Sequence, residues 1–186
     1  MPRMKPAADD ALDQELMAAV ARQDGRAFAR LVERHLGWSL RFVERLVGGR
    51  ADAEDLVQTA FLRVWQGASR WEPQAKFSTW FYRVLHNLCM DHFRARGAPT
   101  EALDEALPDG GPTSEEQVAG AQRGARVRAA LAALPERQRA AIVLCYYEER
   151  SQAEAAALLG VNEGALESLL ARGRAALKKY MREELH

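Results

Sequence analysis

AEDLVQTAFLRVW (residues 53–65), followed shortly by KFSTWFYRVLHNLCMDHFRAR (residues 76–96), decides the fold of this chain. In the first segment apolar residues return with helical period, and Asp52 reads as the N-cap of a helix over Ala53–Gln66 whose dipole Glu54 and Asp55 complement. Leu56, Ala60, Leu62, Val64 and Trp65 spread the apolar surface over more than one side of that helix. A second stripe either docks a partner or is buried on both sides by a small bundle. The second segment sets Phe77, Trp80, Phe81, Tyr82 and Phe93 among Lys76, Arg83, Arg94 and Arg96. Rings interleaved with cations suit unpaired bases, because stacking contributes about 1–3 kcal/mol per base while the cations hold the backbone. At helical spacing Trp80 and Phe81 cannot both face a strand, so one or both can equally be core.

Outward from this stretch the pattern is helical throughout, with no sustained alternation of β-branched and polar residues. Residues 1–9 read as a frayed tail, and a first helix spans Asp10–Arg22 with Leu12, Leu16 and Val20 on one face. Gln23-Asp24-Gly25 reads as a turn. A second helix follows over Ala27–His35, with Phe28, Leu31 and Val32 inward, then a third over Leu36–Leu46, broken by Gly48-Gly49. Ser69–Lys76, with Pro73, is a loop, and Ser78 or Thr79 caps the next helix, which ends near Gly97. Residues 98–121 (APTEALDEALPDGGPTSEEQVAGA) concentrate Pro, Gly and acids without aromatics and read as a flexible linker. Helices over Gln122–Ala133, Glu136–Tyr147, Gln152–Leu159 and Glu163–Glu184 complete a second module, with Pro135 at a helix start. The expected architecture is all-α: two small helical domains, an N-terminal bundle (10–97) and a C-terminal helix-turn-helix unit (122–186), joined by an acidic linker.

The 186 residues carry 26 basic and 26 acidic side chains, so bulk charge points to no nucleic-acid partner. The distribution says more. Residues 1–97 hold fifteen Lys or Arg against twelve Asp or Glu, and residues 122–186 hold eleven against eight. Between them Glu101, Asp104, Glu105, Asp109, Glu115 and Glu116 meet no basic residue. That asymmetry fits a functional connector as well as a solvated linker. Cys89 and Cys145 sit inside apolar helical patterns without CxxC spacing and read as reduced core thiols rather than a disulfide. The four histidines lack metal-ligand spacing, so no metal or other cofactor is expected. Without a signal sequence or an apolar run of membrane length, the expected location is the cytoplasm. No nucleophile–base pair, carboxylate pair or Gly-rich phosphate loop is present, which argues against an enzyme.

Ser151-Gln152-Ala153-Glu154 has the form of a capping box. Ala153, Ala156 and Leu159 then face inward, Gly160-Val161 turns the chain, and Asn162 caps a final helix. A second helix presented this way enters the major groove with its N-terminal residues on base edges. The candidate contacts are Ser151, Asn162, Glu163, Gly164, Ala165, Glu167 and Ser168, with Arg172, Arg174, Lys178 and Lys179 on phosphates. A helical hairpin that merely packs has the same pattern.

These residues resemble bacterial sigma factors of the sigma-70 family, in particular the compact extracytoplasmic-function group, over about Asp13 to Leu185. ARQDGRAFARLVERH (residues 21–35) resembles that group's first conserved region. AEDLVQTAFLRVW resembles its polymerase-binding helix, and FSTWFYRVLHNLCMDHFRAR the segment that opens and reads the −10 promoter element. ALAALPERQRAAIVLCYYEERSQAEAAALLGV followed by GALESLLARGRAAL resembles the domain that reads the −35 element. The resemblance implies a core-polymerase surface of Asp55, Gln58, Phe61, Leu62 and Trp65. It implies −10 contacts from Lys76, Trp80, Tyr82, Arg83, Asn87, Arg94 and Arg96, with the loop Arg70–Phe77 cupping an extruded base. Thr59, Glu167 and Leu169 depart from the group's usual residues. The implied function is a promoter-specificity subunit without catalytic activity. Its implied partners are core RNA polymerase, promoter DNA and an anti-sigma factor seated on the helix Ala53–Gln66 and the leucines of the last helix. A stand-alone helix-turn-helix regulator and a helical adaptor without a DNA role are the alternatives.

Overall fold

In the computed structural model residues 8–72, 76–96 and 115–183 are described, with the side chains of 8, 9, 115–123 and 183 excepted. Eight α-helices and no strand occur among them. They are α1 (Ala8–Ala21), α2 (Gly25–Val47), α3 (Arg50–Gly67), α4 (Phe77–Arg96), α5 (Glu115–Ala132), α6 (Glu136–Ile142), α7 (Gln152–Leu159) and α8 (Glu163–Glu183). A 3₁₀ turn, Ala68–Arg70, follows α3, and a π-helical turn, Val143–Tyr147, follows α6.

The front bundle, α1–α4, closes on rings. Phe81 packs against Trp38, Phe61 and Phe77, while Tyr82 stacks on Trp38 at 4.3 Å and meets Phe42 edge-on. A buried polar chain ties α1 to α2. Asp13 accepts from Arg34 Nε at 2.9 Å and lies 3.0 Å from His35 Nε2, while Trp38 Nε1 donates to His35 Nδ1 at 3.0 Å. Indole can only donate, so His35 Nδ1 is an acceptor and its proton sits on Nε2, aimed at Asp13. Burial works against the Asp13 carboxylate, but His35 and Arg34 outweigh it and hold its pKa below the ordinary value.

Several boundaries differ from the sequence expectation. The second and third expected helices are one, α2, running through Gly37; the buried series Leu31, Trp38, Phe42 and Leu46 outweighs the roughly 1 kcal/mol that a helical glycine costs. Asp24, read as part of a turn, caps α2 by accepting from Arg26 and Ala27 amides at 2.9 and 3.1 Å. Helix α3 starts at Arg50 with Gly49 as N-cap, so Asp52 lies in the first turn instead of capping it. Helix α4 starts at Phe77, and Ser78 is buried inside it rather than capping it. Helix α5 begins at Glu115, seven residues before the expected start. The rest of the expected linker, 98–114, and the tail residues 1–7 lie outside the described residues, as does Pro73.

In the back half, α6, α7 and α8 pack around Leu134, Ile142, Leu144, Leu159, Leu166 and Leu170. Gly173 lets α8 cross α6 closely: a Cβ there would stand 3.1 Å from Ile142 Cγ1. The two halves touch along α4 and the C-terminal part of α2.

Candidate nucleic-acid interface

Helix α3 presents Asp55, Gln58 and Leu62 on one exposed face, with Leu62 51% exposed. Beside them runs an open groove of ≈ 740 Å³ between α2 and α3, floored by Phe28, Val32, Val57 and Phe61, and rimmed by Leu36, Leu40, Arg50 and Glu54. Phe61 is only 5% exposed and packs against Phe81 at 4.9 Å, so it shapes the groove from below instead of offering itself to a partner. Trp65 is half-buried against Phe28 at 5.1 Å. The expected second apolar stripe of α3 is thus mostly consumed by the bundle, and Leu62 and the α2 side of the groove remain open. Leu36 and Leu40, which complete that groove from α2, were not among the expected site residues; their helical spacing with Val32 was the available signal.

On α4 the expected base-reading residues divide. Arg83 and Asn87 are exposed, one turn apart on the same face, and Trp80 is half-buried near Phe77. Tyr82 is removed from the candidate set: it is 1% exposed, its ring lies on Trp38, and its hydroxyl donates to Glu148 Oε2 at 2.6 Å. Burial, then the Glu148 carboxylate, push its pKa well above the ordinary phenol value. Three expected cations already have acidic partners. Lys76 Nζ lies 2.9 Å from Asp10, Arg94 bridges to Asp91, and Arg96 reaches Asp52 at 3.0 Å. Part of the loop Arg70–Phe77 lies outside the described residues; Arg70 itself is exposed.

The turn elements of the back half follow the sequence closely. Ser151 Oγ accepts from the Glu154 amide at 3.2 Å while Glu154 Oε2 accepts from the Ser151 amide at 3.0 Å, completing the capping box. That amide bond, more than any charge, lowers the Glu154 pKa. Gly160 takes a left-handed φ of 64°, and Asn162 Oδ1 accepts from the Ala165 amide at 2.8 Å. Ala153 is exposed rather than inward; Ala155, Ala156, Leu158 and Leu159 are the buried residues of α7. Glu163, Gly164, Glu167 and Ser168 are exposed at the start of α8, with Ala165 half-buried. Arg172, Arg174, Lys178 and Lys179 are exposed further along it, and Arg174 Nη1 donates to Tyr146 Oη at 3.1 Å. Ser151 is exposed but committed to its cap. A helix with an open N-terminal face and a basic continuation can lie in a major groove.

Among the described residues no group of His, Cys, Asp and Glu is placed to hold a metal ion. None of the described helices is long and apolar enough to cross a membrane.

Comparison with known proteins finds a family match in each half of the chain. The family model for sigma-70 region 2 matches residues 31–98, and that for sigma-70 region 4 matches residues 124–177. The ECF RNA polymerase sigma factor SigE of Mycolicibacterium smegmatis is 39% identical over 155 residues, spanning 81% of this chain and 60% of that protein. SigM of Mycobacterium tuberculosis, also an ECF RNA polymerase sigma factor, is 35% identical over 91% of this chain and 84% of its own length. Among solved structures, CnrH in complex with the cytosolic domain of CnrY superposes with a TM-score of 0.68 at 31% identity, covering 92% of this chain and 98% of that one.

Proposed function

We propose, on the premise that this chain belongs to the ECF RNA polymerase sigma factors of the sigma-70 family, that it seats on core RNA polymerase and directs promoter recognition and opening. The observation that carries this reading is the exposure of complementary faces on the two family-matched modules. Asp55, Gln58 and Leu62 stand open beside the α2–α3 groove, Arg83 and Asn87 stand open on α4, and the start of α8 is uncovered. The groove takes an apolar, partly basic helix pair of the polymerase; Asn87 reads an extruded −10 base; α8 reads the −35 duplex. The protein contributes binding energy and no chemistry of its own, because extruding a base costs a few kcal/mol and stacking about offsets it. It works in the cytoplasm, where the polymerase is.

Glu163 and Glu167 at the start of α8 restrict its base contacts to donors such as the cytosine amino group. Arg172, Arg174 and Lys178 position the helix on phosphates. An anti-sigma factor restrains the protein, a reading in line with CnrH being found in complex with a second protein, the cytosolic domain of CnrY. Its seats are Leu62, which is exposed, and Leu169, which is half-buried.

Run-off transcription tests the reading. Transcripts from a cognate promoter require both core polymerase and this chain, and Leu62→Asp weakens co-elution with core polymerase at least tenfold. Failure of the wild-type chain to associate with core polymerase overturns the assignment. Leu62→Asp and Leu169→Asp each weaken anti-sigma binding; unaltered affinity in both moves the inhibitor's seat elsewhere.

A further inference from the structure

The back module packs on the front one through more than the apolar core that the two share. It grips the base-reading helix through one carboxylate. Glu148 accepts from the Tyr82 hydroxyl at 2.6 Å with one oxygen and lies 3.4 Å from Arg45 Nη1 with the other. Arg150 lays its guanidinium 4.6 Å over the Tyr82 ring, and Arg45 lies 4.6 Å over the ring of Tyr147. A few residues away Arg139, only 7% exposed, donates to the carbonyl of Leu46 at the end of α2 and sits 5.5 Å over Phe93 of α4. Each of these contacts joins residues from the two family-matched modules.

The segment that delivers Glu148 and Arg150 is shaped for the purpose. It follows the π-turn Val143–Tyr147, and Glu149 between them takes a φ of 50°, a conformation that a non-glycine residue adopts at a cost. Strain of this kind persists only where surrounding contacts enforce it, and it clusters in switch regions. The reversal at Glu149 lets its two neighbours both reach Tyr82.

We infer that Glu148, Tyr82, Arg45 and Arg150 form an intramolecular latch that holds the free chain closed and unable to engage both promoter elements until polymerase binding releases it. The inference rests on the sigma-factor reading. By their numbers the two elements lie 25 base pairs apart, about 85 Å of B-form duplex at about 3.4 Å per pair. A compact chain of this length has a radius of gyration of about 16 Å and a diameter near 40 Å. With α4 and the α6–α7 connection in direct contact, no orientation spans that distance. Closed and promoter-engaged forms therefore exclude one another, and whatever favours the closed form lowers apparent affinity by the fraction of competent molecules.

Two measurements on the full chain test the latch separately from the function. Small-angle scattering of the free wild-type protein gives a radius of gyration near 16 Å, and Tyr82→Phe/Glu148→Ala expands it by several Å with unchanged helical circular dichroism. Arg45→Gln, at a half-buried position, gives a smaller expansion in the same direction and guards against misfolding of the buried pair. An already extended wild type, or variants that scatter like wild type, overturns the latch. In the second measurement the double variant binds core polymerase about tenfold more tightly than wild type, by releasing the closed fraction. Equal or weaker binding by a folded double variant also overturns it. Loss of polymerase binding by every form, wild type included, would sink the sigma-factor reading while leaving the scattering result standing.

Discussion

At the scale of single residues, the fate of a side chain turns on which side of a helix it faces, and the polar chain Asp13–His35–Trp38 shows the cost of an interior position. Asp13 is 2% exposed and joined to both Arg34 and His35. Removing one member of such a buried set leaves the others uncompensated, a loss of about 3 kcal/mol. Asp13→Asn is therefore expected to lower the stability measured by urea unfolding at neutral pH by about that amount. The pH dependence has a definite sign. The folded pKa of Asp13 is depressed below its ordinary 3.8, so its contribution is complete above that value and is lost as pH falls through the folded pKa. Wild type and Asp13→Asn should converge in stability once pH has fallen below the folded pKa, and parallel curves from neutral to acid pH would show that the carboxylate contributes nothing. Tyr82 carries the converse lesson. Its ring sits in a run of aromatics and cations that period alone assigns to either face, so the sequence favoured a base-stacking role, while Trp38, Glu148 and Arg150, all distant in sequence, claim it.

At the scale of elements, local chemistry was legible wherever a few consecutive residues settle the outcome. The Ser151–Glu154 box, the left-handed Gly160 and the Asn162 cap all stand where their residue types demand. Ser151→Ala removes one acceptor from the first turn of α7 and should cost about 1 kcal/mol in thermal or urea unfolding, whereas Ala153→Ser, at an exposed helical site, should cost less than half of that. Equal losses would mean that the box contributes only propensity. What stayed illegible depended on contacts from afar. The expected boundary between His35 and Leu36 does not exist, because Trp38, Phe42 and Leu46 dock inside the bundle and carry α2 straight through. The apolar width of α3 could not reveal that Phe61 and Val64 are spent on the bundle while Leu62 stays outside. Fold class and the order of the two modules were readable because helical period and turn residues are local signals. The open part of the site was not, because burial is decided by partners.

At the scale of the whole molecule, the balance of charge sets how the free chain meets DNA. Its formal net charge is zero, and the front module's cations are partly neutralised in place: Lys76 by Asp10, Arg94 by Asp91 and Arg96 by Asp52. A cation already paired to a carboxylate displaces few counterions when it meets a phosphate, so these three contribute little to binding by the free protein. Arg172, Arg174 and Lys178 on α8 form no ion pair among the described residues, and Arg174 is held by a neutral hydroxyl. With about three phosphates engaged, the logarithm of duplex affinity should fall against the logarithm of salt with a slope of about −3. Titration of a fluorescent −35 duplex at several salt concentrations measures it. Asp52→Asn/Asp91→Asn frees Arg96 and Arg94 on the front module and should leave this slope at about −3, because only the cations of α8 meet the phosphates of the −35 duplex. A wild-type slope near −8 would show instead that both modules lie on duplex at once, and it would place the front module's ion pairs on the side of DNA binding.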